Sequence, residues 1–244
     1  MAQYVYGIVE ATATAPRGRG IADAPVRLLV GEDAAALVSE IPPDHLRMGR
    51  EEVQMHARVL ERALNRGPVL PMRFGVVMSD AEEVRTRLLK EHGTELRAQL
   101  AEMEGKVEIR IRAAYDEQLL FRDIVRERPQ IATLRNSVAG SPADASYYER
   151  IRLGELVAAA VARHREVDAQ AIIEALGEHA LAVSAGEPSH ERVVVQASFL
   201  VQRSDLAEFN AVVDQVAEGY GGQIRFKYTG PLPPHSFVEL AGSA

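Results

Sequence analysis

The stretch KVEIRIRAAY, residues 106–115, alternates strictly between apolar and polar side chains. Val107, Ile109, Ile111 and Ala113 fall on one face, and Lys106, Glu108, Arg110 and Arg112 on the other. A two-residue period of this length demands a strand with one face buried, and so a sheet with helices packed on that face. The segments that follow fix the order of the partners. Residues 116–143 read as helical and end in the loop AGSPADA. A long helix runs from about Ser146 to near Gly177, with Leu153, Val157, Ala160, His164, Val167 and Ala171 at three- and four-residue spacing. ALAVSA and VVVQASFLV flank the turn-rich GEPSHER as a hairpin. SDLAEF opens another helix, capped by Ser204 and stopped at GYGG, and IRFKY is the last strand. The order is β-α-β-β-α-β, that of a modified ferredoxin-like domain over residues 105–230 with a helical insertion at 116–143.

Residues 1–104 predict a separate, mixed α/β domain, so the fold class is α+β with two domains. YVYGIV is apolar on both faces, which marks a central strand, and Gly7 within it implies close approach by a neighbour. VRLLV is a short strand, and AALVSEI is either a strand or a helical turn. Val53, Met55, Val59, Leu60, Ala63 and Leu64 predict a helix that stops at Gly67-Pro68. PVLPMRFGVVM then reads as an edge strand with Leu70, Met72, Phe74, Val76 and Met78 on one face. Ser79, with Glu82 three residues on, has the capping-box pattern for the next helix.

A net charge of −7 with no basic block in either half weighs against nucleic acid as a partner. The chain has no cysteine, which removes disulfides, thiolate catalysis and cysteine-based zinc sites and fits a cytoplasmic home. The start MAQYVYGIVEA reads as a strand rather than a signal peptide, and no apolar run reaches the roughly 20 residues of a membrane span. No membrane partner is expected.

The inventory of reactive groups is thin. GYGG lies between a helix and the next strand, whereas phosphate cradles run from a strand into a helix N-terminus, so a helix cap is the plainer reading. Glu52 and His56 have the i, i+4 spacing to share a metal, but a comparable second pair is absent. His164 reads as a packed structural histidine, and Glu187 and His190 as turn partners. HExxH, GxSxG and Walker patterns do not occur. Ferredoxin-like sheets can bind RNA through exposed aromatics, yet Ile224, Phe226 and Tyr228 share the face opposite Arg225 and Lys227, which puts the aromatics in the core. No catalytic residue, cofactor or metal is therefore assigned.

What remains is surface. GPVLPMRFG and the tail at 231–244 are costly unless covered. Pro231, Pro233 and Pro234 lack the donor that a sheet ladder needs and hold the tail extended, while Leu232, Phe237, Val238 and Leu240 make it apolar. Two readings stay open: a strap packed across the domain junction, with Leu232 and Phe237 as anchors, or a site that meets a partner. Arg73, beside Phe74, is expected to find a carboxylate or carbonyl partner, because a buried unpaired cation is too costly. The candidate protein-binding or interdomain residues are Arg73, Phe74, Pro231, Leu232, Pro233, Pro234 and Phe237.

YVYGIV, GPVLPMRFG, GKVEIRIRA and RFKYTGPLPPHSFV, in this order and spacing, resemble the GvpL/GvpF family of gas vesicle proteins over nearly the full length. The resemblance implies a non-enzymatic accessory or minor structural protein of gas vesicles, with two domains, the second modified ferredoxin-like. It also implies partners: the small, hydrophobic main shell protein and other accessory proteins, met during vesicle assembly. Compact length and the lack of an added charged tail lean toward the F-type branch. The rival is a small-molecule enzyme or ligand-binding module built on the ferredoxin-like domain.

Overall fold

The structure, a computed structural model, describes residues 1–42, 49–142 and 146–239. By contacts the chain divides into two compact units. The first comprises Met1–Ile109, Leu200–Ser204 and Gly230–Ala244; the second comprises Arg110–Phe199 and Asp205–Thr229.

The first unit is built on an antiparallel sheet of β1 (Ala2–Glu10), β2 (Arg27–Val30), β3 (Ala34–Ile41), β4 (Val69–Pro71) and β5 (Val77–Met78). The strands lie in the order β2-β3-β1-β4, and β5 also pairs with β1. Every residue of β1 from Ala2 to Val9 is buried, as a strand covered on both faces requires. On one side α1 (Arg50–Leu64) buries His56, Val59, Leu60, Ala63 and Leu64. On the other, α2 (Ala81–Glu83) continues as a π-helical turn, Val84–Lys90, and α3 (Gly93–Glu102) follows. Val5, Ile8, Val84, Leu88, Leu96, Leu100 and Leu200 share one core there. The pairing of β1 with β3 shifts register between Val5 and Gly7. Gly7 is required at that point: a Cβ would lie 2.7 Å from the Leu70 carbonyl oxygen and 2.9 Å from Leu60 Cδ2.

The second sheet holds β6 (Lys106–Tyr115), β7 (Ala182–Ala185), β8 (Val193–Gln202) and β9 (Ile224–Leu232) in the order β7-β8-β6-β9. Numbered within this half of the chain, that is second-third-first-fourth, the ferredoxin-like arrangement. The expected element order is therefore present, with α4 (Glu117–Glu127), α5 (Pro129–Ala139) and α6 (Tyr147–Gly177) between β6 and β7, and α7 (Leu206–Gly219) between β8 and β9. Pro129 at the first turn of α5 splits the helical insertion in two. Gly221 and Gly222 follow α7 at φ of +54° and +84°, so GYGG is a helix stop.

Several local expectations fail for physical reasons. IRFKY is not a buried strand: β9 closes the sheet as an edge, with Ile224 buried, Phe226 half-buried and Tyr228 exposed. Nor does the strand stop before the prolines, because β9 continues through Pro231 to Leu232. An edge strand tolerates a residue that cannot donate. PVLPMRFGVVM is two short strands joined by a turn at Phe74-Gly75 rather than one. Asp80, not Ser79, caps α2, accepting from the Glu82 and Glu83 amides at 2.9 Å each, and Ser79 instead donates to the Glu83 carboxylate. At Ser204 the chain forms a short 3-10 turn, Arg203–Asp205, so that Asp205 rather than Ser204 occupies the N-cap position of α7. Along α6 the buried stripe does not pass through Val167 and Ala171, which are exposed; the buried positions are Ala160, Ile172 and Leu176, the last two one helical turn apart. AALVSEI is a strand, β3.

Candidate functional site

The two apolar strings singled out in the sequence come together in the first unit on one core, where Phe237 and Val238 pack with Leu70 and Met72; beside the first string lies His56. This side chain, 5% exposed, points from α1 toward Tyr4 and Tyr6 of β1. Its Nε2 lies 3.2 Å from the Met72 carbonyl oxygen, which can only accept, so Nε2 carries the proton. Nδ1 then accepts from the Tyr4 hydroxyl at 2.8 Å, and the Gly75 amide donates to the same hydroxyl oxygen at 3.2 Å. Burial, and after it the charge of His235 in the tail, push the imidazole down to about 4, while the Met72 carbonyl acts the other way. Burial likewise pushes the Tyr4 hydroxyl up. Beside this group, the Ile21 amide donates to Tyr6, Tyr6 to Ser39, and Ser39 to the Pro25 carbonyl. The result is a neutral, fully committed histidine. No group of three or more side chains able to hold a metal ion occurs among the described residues.

Phe74 is half-buried, its ring 5.8 Å from that of His56 and 6.2 Å from that of Tyr4. Arg73 does not gain the expected partner. The strand ends at Pro71, so Arg73 stands exposed in the following turn, where water solvates the guanidinium, and it makes no ion pair among the described residues.

The tail turns back over the first unit. Pro231 is exposed, Leu232 half-buried, and Pro233 and Pro234 buried. Phe237 and Val238 lie half-buried on the core formed by Val5, Leu88, Leu96 and Leu100. Glu108, fully buried, accepts from the Ser236 amide at 2.7 Å and from its hydroxyl at 3.0 Å. Gln99 donates to the Glu239 carbonyl at 3.1 Å. The tail leaves the sheet at Gly230, where φ is +153° and a Cβ would lie 2.7 Å from Ile109 Cδ1. Leu240, counted among the tail's apolar residues, lies outside the described residues.

The second unit offers two open surfaces. One is an apolar groove of about 440 Å³ along α6, lined by Phe121, Leu153, Val157 and Val161, with Arg150 and Glu191 at its rim. The other is a charged cleft of about 540 Å³ where β6, β9 and the start of α4 meet, lined by Arg112, Asp116, Glu117, Arg192, Arg225 and Lys227.

The family model for gas vesicle synthesis protein GvpL/GvpF matches residues 2–239. The chain belongs to the GvpL/GvpF family. It is 36% identical to gas vesicle protein F of Streptomyces sp. (strain CB03234), an alignment covering 98% of this chain and 100% of that one. Gas vesicle protein L1 of Halobacterium salinarum is 23% identical over 98% of this chain and 91% of its own. The crystal structure of GvpF from Anabaena sp. PCC7120 superposes with a TM-score of 0.84, at 22% identity and covering 98% of this chain and 99% of that one. GvpF from Microcystis aeruginosa gives 0.79 at 24% identity, with the same coverage. Membership of this family supports an accessory role in gas vesicles.

Within this family member, sequence reasoning found both proline strings but missed the polar groups beside them. His56 carried no sign of burial beyond its place between Val53 and Leu60. Glu108 sat on the polar face of a strand, and nothing local revealed that Ser236 covers it. Arg112, Arg225 and Lys227 were placed on polar strand faces, yet their convergence needs the pairing order of the sheet.

Proposed function

We propose that this protein is a non-catalytic accessory or minor structural component of gas vesicles that binds the hydrophobic main shell protein and other accessory proteins as vesicles nucleate and assemble in the cytoplasm. The observation that carries this reading is the match to a gas vesicle family over residues 2–239. The chemistry of the role is reasonable. A shell subunit with a gas-facing apolar side aggregates in water, and a helper must cover that side reversibly, with apolar surface inside a charged rim. The groove on α6 has that character, with Phe121 38% exposed. Among the described residues no helix is long and apolar enough to cross a membrane.

Co-expression with the shell protein and the other accessory proteins, followed by co-purification and crosslinking, tests the reading. Retention of the shell protein, weakened by Phe121→Ser or Val157→Ser, is the expected result. Vesicles that form normally without the gene, together with no retention, sink it.

The charged cleft is a feature that favours a small-molecule enzyme or ligand-binding module. Its acid-base groups are already committed. Asp116 accepts from the amides of Gln118 and Leu119 and pairs with Arg225. The Leu119 amide and then Arg225 hold its carboxyl below the usual carboxylate range, against desolvation. Glu117 pairs with Arg192 at 3.0 Å, and His190 Nε2 accepts from Arg112 at 3.0 Å. Each carboxylate in the cleft is thus already paired with an arginine. A defined ligand found by thermal shift would revive that reading.

A further inference from the structure

The same commitments leave the cleft with an unbalanced charge. Four cations line it, and its two carboxylates are taken up by Arg225 and Arg192. Arg112 donates to a neutral imidazole nitrogen, and Lys227 makes no ion pair among the described residues. This local excess of positive charge stands on a chain whose net charge is −7. Water and low-dielectric walls focus such a field onto anything negative that enters.

We propose that the cleft between β6, β9 and the start of α4 docks an acidic, extended polypeptide segment of a partner protein, with its carboxylates on Arg112 and Lys227. The proposal concerns a different surface from the apolar groove and reaches beyond shell-protein capture. Three observations choose the occupant. A phosphate group would ordinarily use the free amides of a helix start, and in α4 two of these are occupied by the Asp116 side chain. RNA bases need an aromatic platform. The Phe226 ring is instead held against Tyr220, 6.2 Å between centroids, and the Tyr115 hydroxyl is bound to Asp168. An extended segment, by contrast, can run beside β9, because β9 is the edge of its sheet. The volume, about 540 Å³, is far more than one small anion fills.

The test uses the full chain and fluorescein-labelled hexaglutamate, read by anisotropy at low and high salt. Saturable binding at low salt is expected, lost at high salt and weakened about tenfold or more in Arg112→Gln/Lys227→Gln. The pair Arg85→Gln/Arg87→Gln removes the same net charge from the first unit and should leave binding intact. If the cleft double variant does not fold, Lys227→Gln alone, at an exposed side chain, should still weaken binding. No saturable binding, or equal loss in both double variants, overturns the proposal. So does displacement of the probe by tripolyphosphate or oligouridylate at lower concentration than unlabelled hexaglutamate. Low-salt dimerisation that depends on Arg112 and Lys227 would also overturn it, since the occupant would then be a second copy.

Discussion

Around His56 the first unit spends its polar groups on one another, whereas the cleft at Arg112 and Lys227 leaves charge unspent. Both places combine histidine and tyrosine within a sheet-and-helix framework. In the first, the groups are removed from water, and each hydrogen bond found there replaces a lost one, as burial requires. In the second, water remains, so an unmatched cation costs little and is free to act on a partner. The difference separates residues that hold the fold from residues available for recognition. It also explains why a buried histidine beside two tyrosines, which resembles a catalytic group in composition, has both ring nitrogens engaged, by Tyr4 and by the Met72 carbonyl.

The comparison breaks first if the buried side proves tolerant. Gly7→Val forces side-chain atoms against the Leu70 carbonyl oxygen and Leu60, where even a Cβ meets atoms at 2.7 and 2.9 Å. A central strand cannot shift to make room, so a loss of about 3 kcal/mol or more is expected, read by denaturant unfolding. A variant as stable as the parent would mean that β1 is not clamped between β4 and α1.

His56 gives the next effect, through pH. The folded imidazole stays neutral down to about pH 4, while its ordinary value is 6.5. Between those values the unfolded chain binds more protons than the folded one, so stability falls as pH drops through that window and is flat on either side of it. The loss is at most about 3 kcal/mol. His56→Gln should remove this part of the pH slope; an unchanged slope would show that another group produces it.

How much of this was readable in advance follows the same divide. Periodicity exposed the ferredoxin-like order, because KVEIRIRAAY and the helices after it are half-buried and alternate accordingly. YVYGIV declared a doubly covered strand, and Gly7 declared the close neighbour. Pairing position was not legible: IRFKY looks buried on composition, and only its place at the sheet edge explains both its exposure and the tolerance of Pro231. The same holds for Arg73, whose environment depends on where a strand stops. Within the tail, the prolines and Phe237 announced a structured segment. The Glu108 contact joins residues 128 positions apart and has no local signature.

Ending the chain after Leu232 tests the strap more gently. It removes Pro233 and Pro234, both buried, and the half-buried Phe237 and Val238. Two half-buried apolar side chains amount to about 2 kcal/mol, so the melting temperature should fall and a hydrophobic dye should bind the uncovered core. Ser236→Ala in the full chain should do less, because the backbone amide still reaches Glu108. Unchanged melting with lost shell-protein capture would make the tail a partner-binding peptide instead.

The smallest effect should come from the open cleft. The Arg225 side chain is 76% exposed and pairs with Asp116. Such pairs are weakened by water and salt, and holding a long side chain in place costs entropy. Arg225→Gln should therefore leave the melting temperature unchanged within error. The Asp116 carboxyl should remain below the usual range when followed by NMR titration, because the Leu119 amide is its leading cause and stays in place. Asp116→Ala, by contrast, strips the cap from α4 and should lower the melting temperature measurably. If Arg225→Gln destabilised the chain as much as Asp116→Ala, the guanidinium would belong to the framework, and the cleft would be one more closed network like that around His56.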